Sequence, residues 1–266
     1  MLAQDVSAAV AAFRTNGFVV LRRFFTPAEI DTLRQAVLEQ YYRDPAPEIA
    51  GKTLGKISFR RSAQLWRRSE VIRRFAFDPR LAGMACQLLG VRGVRMLTDD
   101  VFFKEPRTRV SSWHCDRDFV PIDRDGFVSI WIPLQPTTRL SGTLAYGAGS
   151  HAVRVVRPPG RLRHERTSHF WFENVLRGRG HDIVAVPAEV GDVLIHHSRT
   201  FHMAFPNRAA TPRVAYGLHL FDASARFAEP INDEQRLHVH ECGWTSLHPG
   251  DLIDLHTTPL VFEGNA

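Results

Sequence analysis

Residues 191–221 read GDVLIHHSRTFHMAFPNRAATPRVAYGLHLF, and this stretch is the most informative about the fold. It contains three short apolar runs, which are residues 193–197, 200–205 and 213–221. Turn-forming residues, including the segment PNRAATP, separate the runs, and this rhythm is typical of antiparallel β-structure. We expect the second and third runs to pair as a hairpin. Such a hairpin would bring His202 and Arg213 to the same end of a barrel interior.

The same rhythm extends back along the chain to about residue 94. Further runs that predict strands occupy residues 94–104, 127–134, 143–146 and 182–186. These strands do not alternate with helical patterns, which argues against a doubly wound sheet. The sequence therefore predicts a mostly β protein with flanking α-helices and a jelly-roll-like core.

Helical patterns dominate the first ninety residues instead. We predict short helices over residues 4–15 and 62–75. The sequence TPAE at residues 26–29 is a capping box with proline at the first helical position, so it predicts a further helix start. Another helix is expected from Asp78-Pro79 to Gly90, because glycine is the usual residue just after a helix end.

We expect these elements to form a single domain over residues 1–266. In this interpretation residues 1–90 give helical support, residues 91–221 form the β core, and residues 222–266 wrap around the outside. The stretch 152–181 is longer than an ordinary strand connection, and we interpret it as a lid or binding loop.

Composition excludes several classes of protein. The chain has 266 residues, of which 44% are hydrophobic and 23% charged, so it is not wholly disordered, collagen-like or a coiled coil. No apolar stretch reaches the roughly 18 residues of a membrane-spanning helix. The N-terminus lacks the basic segment of a secretory signal, so we expect a cytoplasmic protein without a membrane partner. Three cysteines without a CxxC pair do not indicate a disulfide scaffold or a zinc ribbon.

The net charge of +6 raises the question of a nucleic-acid partner. However, the 34 basic residues are spread along the chain, and only three of them are lysines. An even spread of arginine is more typical of a solvated surface than of a phosphate-binding patch. We therefore expect no nucleic-acid partner.

The motif Trp113-His114-Cys115-Asp116 is the first that indicates chemistry. In a strand, residues two apart point to the same face, so His114 and Asp116 can direct an imidazole and a carboxylate at one point. With one more histidine they would complete the facial triad of non-haem Fe(II) enzymes. His196, His197 and His202 are the candidates for the third ligand.

Arg213 follows the turn segment and is expected inside an apolar interior. A buried guanidinium needs an anionic partner, because an unpaired buried charge is costly. Its planar fork matches the geometry of a carboxylate, so Arg213 predicts a binding site for one end of a dicarboxylate.

Together these residues resemble the phytanoyl-CoA dioxygenase family of Fe(II)- and 2-oxoglutarate-dependent oxygenases. The resemblance runs from about residue 15 to residue 221. The matching pieces, in the order typical of the family, are WHCD (113–116), SGTL (141–144), GSH (149–151), GD (191–192), and His202, Asn207 and Arg213.

The resemblance implies a double-stranded β-helix of the cupin type and assigns roles to individual residues. It implies that His114, Asp116 and His202 hold iron and that Arg213 pairs with the distal carboxylate of 2-oxoglutarate. Weaker correspondences also place Trp131, Met96 and Lys56 near this co-substrate.

The chain departs from the family at Ala204, where many members have a serine that binds the same carboxylate. Another donor or a water molecule must replace the missing hydroxyl. Thr143 is one candidate.

The implied activity is that of a non-haem dioxygenase, which uses O2 and 2-oxoglutarate to oxidise a small molecule and releases succinate and CO2. Hydroxylation is the usual outcome. Cyclisation, epimerisation and desaturation remain alternatives, and so does a catalytically silent protein that binds a metal or ligand. The sequence identifies neither the substrate nor the oligomeric state.

Overall fold

Two antiparallel β-sheets form the centre of the protein. The computed structural model describes residues 3–43, 60–153 and 165–264. The strands are β1 (Phe18–Leu21), β2 (Arg60–Ala63), β3 (Gly93–Lys104), β4 (Ser111–His114), β5 (Phe127–Pro133), β6 (Leu144–Gly147), β7 (Ile183–Val186), β8 (Val193–His197), β9 (His202–Ala204), β10 (Arg213–Asp222) and β11 (Leu260–Glu263). In this part of the chain the large sheet has the order β1-β8-β5-β10-β3-β11, with β2 also paired to β3, and the small sheet has the order β4-β9-β6-β7. The prediction of a mostly β, jelly-roll fold is confirmed.

Helices pack around the two sheets. They are α1 (Ala3–Asn16), α2 (Pro27–Arg43), α3 (Glu70–Ala76), α4 (Pro79–Leu89), α5 (Glu165–Gly178) and α6 (Asp233–Glu241). The predicted capping box begins α2, since the Glu29 carboxylate accepts from the Thr26 amide at 2.7 Å and the Thr26 hydroxyl accepts from the Glu29 amide at 3.2 Å. Gly90 ends α4 with a φ of 68°, a conformation that favours glycine. Within the described residues, no helix combines the length and apolar character needed to cross a membrane.

The two faces of the large sheet pack against different parts of the protein. Along β5, Val128, Ile130 and Ile132 belong to the main hydrophobic core, which also contains side chains of α1, α2 and α4. Trp131 instead belongs to a cluster shared with Leu144 and other residues of the small sheet. This division follows from the alternation of side chains along a strand. The outer face is therefore covered by helices, and the inner face is directed toward the small sheet.

The C-terminal segment packs beside the inner face. Trp244 and Ile253 are fully buried in a cluster with Leu97 and Phe127. Strand β11 pairs with β3. Residues after β10 therefore cover one end of the space between the sheets.

The predicted hairpin of residues 200–205 and 213–221 is wrong. Strand β9 pairs with β4 and β6 in the small sheet, whereas β10 pairs with β3 and β5 in the large sheet. The connection between them crosses from one sheet to the other, as sandwich topologies require. His202 and Arg213 consequently belong to opposite walls.

Three local predictions also need correction. The segment 1–90 is not purely helical, because β1 and β2 add strands to the large sheet. The helix predicted over 62–75 is divided into β2, a short 3-10 turn and α3. The loop predicted over 152–181 contains α5, whose residues lie against β4.

Asp99 of β3 is a buried carboxylate that is directed toward the main core. Its Oδ2 accepts hydrogen bonds from the Tyr216 hydroxyl at 2.8 Å and the Trp66 amide at 2.9 Å. Its Oδ1 finds no hydrogen-bond partner among the described residues. Burial raises the pKa of Asp99 to about 7, because the ionised carboxylate loses its hydration.

We expect the pH dependence of stability to differ in Asp99→Asn. Because the pKa is raised in the folded state, the wild type loses stability as the pH rises from about 4, the value of an exposed aspartate, to about 7. The neutral amide of the variant carries no such penalty. The wild type should therefore lose roughly 2 kcal/mol relative to the variant between about pH 5 and about pH 8. Urea denaturation measures this difference, and parallel profiles would contradict it.

Candidate metal centre and its cavity

His114, Asp116 and His202 converge on one point. His114 ends β4 and His202 begins β9, and the two are register partners in the small sheet. Asp116 opens a 3-10 turn directly after β4, rather than continuing the strand as the sequence suggested. Its Oδ1 lies 3.8 Å from His114 Nε2 and 3.7 Å from His202 Nε2. One ligand atom from each residue lies within 4.8 Å of the others, a spacing that could hold one metal ion.

Backbone carbonyls set the tautomer of both histidines. His114 Nδ1 lies 2.8 Å from the Ser112 carbonyl, and His202 Nδ1 lies 3.1 Å from the Thr200 carbonyl. Because a carbonyl only accepts, each Nδ1 carries the proton and donates it. Each Nε2 therefore presents a lone pair toward Asp116, which is the arrangement that metal-binding histidines adopt.

Asp116 is held by its other oxygen. Oδ2 accepts from the Ser129 hydroxyl at 2.5 Å and from His196 Nε2 at 3.0 Å, so Oδ1 faces the imidazoles. Burial by itself raises the pKa of Asp116, but His202 and His196 outweigh it and hold this pKa well below its usual value. Burial lowers the pKa of His202 well below its usual value. An ionised carboxylate and a neutral imidazole are the protonation states that metal binding requires.

The sequence interpretation missed the residues that support Asp116. His196, one of the alternatives for the third ligand, instead contacts Asp116 Oδ2 through its Nε2, and its Nδ1 lies 3.3 Å from the Tyr146 hydroxyl. Ser129 lies 2.8 Å from His219 Nδ1. Since Ser129 gives its own proton to Asp116, His219 donates to Ser129. The available sequence signal was alternation, which places Ser129 on the same face of β5 as Trp131.

Arg213 lies in the same cavity as the triad. It is 2% exposed, and its Nη1 donates to the Phe102 carbonyl at 3.2 Å. The guanidinium carbon lies 5.4 Å from the centre of the Trp131 ring. Its Nε is buried without a hydrogen-bond partner, and no carboxylate of the described residues pairs with it. Burial lowers the pKa of Arg213 to about 10, so the side chain remains cationic at neutral pH.

The cavity that contains these groups has a volume of about 400 Å³. Residues of both sheets line it, and Leu97, Phe119 and Phe127 form an apolar wall. Helix α6 contributes Glu234 and Glu241 to the lining. The volume falls in the range of small-molecule sites, roughly 300–1,000 Å³.

Two predicted co-substrate contacts are not brought to this cavity. Met96 is fully buried in the main core, on the helix-covered side of the large sheet. The Thr143 hydroxyl contacts the Val186 carbonyl and Thr137 within the protein, and Thr143 is absent from the cavity lining. Ala204 and Trp131 do line the cavity. Lys56 lies outside the described residues.

Known proteins are similar to this chain in sequence and fold. The profile of the phytanoyl-CoA dioxygenase family matches residues 13–215. A probable alpha-ketoglutarate-dependent hypophosphite dioxygenase of Stutzerimonas stutzeri is 30% identical over 124 residues, which are 45% of this chain and 42% of that protein. A 1-deoxypentalenic acid 11-beta-hydroxylase of Streptomyces arenae is 32% identical over 108 residues, or 35% of this chain and 36% of that protein. The matches thus span less than half of these relatives.

A solved structure extends the similarity over nearly the whole chain. The non-heme alpha ketoglutarate dependent carbocyclase SnoK from nogalamycin biosynthesis superposes with a TM-score of 0.78 at 27% identity. The alignment covers 96% of both chains.

We expect Ser129→Ala to weaken metal binding, because Asp116 would lose the hydrogen bond that orients its second oxygen. Loss of such an outer partner costs about tenfold to a hundredfold in metal affinity. Anaerobic titration calorimetry with Fe(II) measures this effect. Ser224→Ala, the same change at an exposed serine, is the control. Equal affinities in the two variants would contradict the assigned role of Ser129.

Proposed function

The chain belongs to the phytanoyl-CoA dioxygenase family, and we propose that it is an Fe(II)- and 2-oxoglutarate-dependent oxygenase that oxidises a small molecule. One observation carries this proposal. The convergent His114, Asp116 and His202 share a cavity with Arg213, a buried cation that has no carboxylate partner among the described residues.

The triad fits a ferrous ion by its chemistry. Two neutral imidazoles and one carboxylate are the donor set of non-haem Fe(II) oxygenases, and three protein ligands leave positions open for other molecules. In our proposal His114, Asp116 and His202 are the protein ligands. When bound, the iron and its keto-acid co-substrate supply the oxidising power derived from O2, with release of succinate and CO2.

Arg213 fits the distal carboxylate of 2-oxoglutarate. Because the guanidinium is buried and its Nε has no hydrogen-bond partner among the described residues, an anion bound beside it would be stabilising. A guanidinium binds a carboxylate through two parallel hydrogen bonds. The Trp131 ring beside the guanidinium limits the positions that Arg213 can adopt. Together these residues would orient the co-substrate and exclude water from it.

The remaining cavity is the proposed substrate site. The apolar wall of Leu97, Phe119 and Phe127 favours a substrate with a hydrocarbon surface. Hydroxylation is the proposed outcome. Cyclisation is a second candidate, supported by the similarity to a carbocyclase over 96% of the chain, because the position of the substrate decides how an oxidised carbon reacts.

We expect the anaerobic protein with Fe(II) and 2-oxoglutarate to develop a visible charge-transfer absorption band. His114→Ala should lack the band, because it removes one ligand of the triad. In air, wild type should release succinate from 2-oxoglutarate in the presence of an accepted substrate. If the wild type shows no charge-transfer band and releases no succinate, the proposed function is contradicted.

Arg213→Gln should weaken 2-oxoglutarate binding at least about a hundredfold, because truncating one partner of a buried charge pair costs several kcal/mol. Calorimetry of 2-oxoglutarate binding to the anaerobic Fe(II) protein measures this loss. Arg208→Gln applies the same change to an exposed arginine of the β9–β10 connection and should bind normally. A wild-type affinity in Arg213→Gln would exclude Arg213 as the carboxylate partner.

A further inference from the structure

Ser111 is the neighbour of Ala204 on the adjacent strand of the small sheet. Ala204 and Ser111 are register partners in the pairing of β9 with β4. Side chains of such partners lie on the same face, with Cβ atoms about 5 Å apart, and both residues line the cavity. Ser111 therefore places a hydroxyl next to the site where Ala204 has none.

A hydrogen bond from Lys104 leaves the Ser111 hydroxyl available as a donor. Lys104 is fully buried, and its Nζ donates to Ser111 Oγ at 3.0 Å. An ammonium group can only donate, so Ser111 Oγ accepts and keeps its own proton for another acceptor. A hydroxyl polarised by a cation is a strong donor, and an anion is its best partner.

The same contact links Ser111 to the region of Arg213. Lys104 and Arg213 are register partners in the large sheet, on β3 and β10. Lys104 thus reaches from the strand beside Arg213 across to the small sheet. Lys104 therefore connects the Ser111 hydroxyl, which lines the cavity, to the strand pair that carries Arg213.

Other hydroxyl groups that line the cavity already have acceptors. Within the described lining, these are Thr98 and Ser129. Thr98 donates to the Asp99 carbonyl at 3.2 Å, and Ser129 donates to Asp116. Thr143, the candidate suggested by the sequence, uses its hydroxyl on the Val186 carbonyl. Ser111 is the lining hydroxyl without a described acceptor.

We propose that Ser111 replaces the hydroxyl missing at Ala204 and donates to the same distal carboxylate that Arg213 binds. Ser111 is in this role a residue that binds and positions the keto-acid co-substrate. The inference rests on the proposed function, because it needs 2-oxoglutarate as the ligand of this cavity.

The test is the binding of 2-oxoglutarate to the anaerobic Fe(II) protein, measured by calorimetry in four variants. Ser111→Ala should bind about tenfold more weakly, the usual effect of losing a hydrogen bond to a charged group. The double variant Ser111→Ala/Ala204→Ser should recover most of the affinity, because it returns a hydroxyl to the adjacent position. Ser111→Thr, which keeps a hydroxyl, should bind within a few-fold of wild type, and Ser224→Ala is the matched control.

Each outcome decides between the two proposals. If wild type and Arg213→Gln bind 2-oxoglutarate equally or not at all, the proposed function fails. If Arg213→Gln loses binding but Ser111→Ala binds like wild type, only the role of Ser111 is overturned. Failure of Ala204→Ser to restore binding, in a double variant with a normal circular dichroism spectrum, would also overturn it, because Ser111 would then act structurally.

Discussion

The register between β4 and β9 is the constraint on which the site depends. It places His114 opposite His202, and the turn after β4 then directs Asp116 at the same point. The Ser112 and Thr200 carbonyls bind the two Nδ1 protons, which leaves each Nε2 to face the carboxylate. A slip of one residue would send one histidine to the outer face of the small sheet. Backbone pairing thus determines the geometry of the candidate metal centre.

The cavity contains charged groups of both signs. Asp116 supplies a negative group at the triad, while Arg213 supplies a buried positive group in the same cavity. This distribution suits an elongated ligand that meets a metal ion at one end and presents a carboxylate at the other. The keto acid of the proposed function has these properties. The apolar wall remains for a second molecule, so the two binding functions use different parts of one space.

The family resemblance, carried by the HxD motif and the histidine–arginine spacing, predicted the residues that line one cavity here, namely His114, Asp116, His202 and Arg213. Sequence patterns could not predict which sheet each strand joins, so the hairpin of His202 with Arg213 was wrong. Met96 illustrates a second limit. The β3–β10 register skips Leu97, and this bulge turns Met96 toward the helices although simple alternation from Thr98 would direct it inward. The contacts of Ser129 and His196 with Asp116 depend on three strands meeting, which no local pattern reports.

The most direct test is a crystal structure of the protein grown anaerobically with Fe(II) and 2-oxoglutarate, with anomalous diffraction recorded at the iron absorption edge. Our account predicts one anomalous peak bonded to His114 Nε2, Asp116 Oδ1 and His202 Nε2. It also predicts the distal carboxylate of 2-oxoglutarate against Arg213. An iron peak elsewhere, or a keto acid whose distal carboxylate does not contact Arg213, would contradict it.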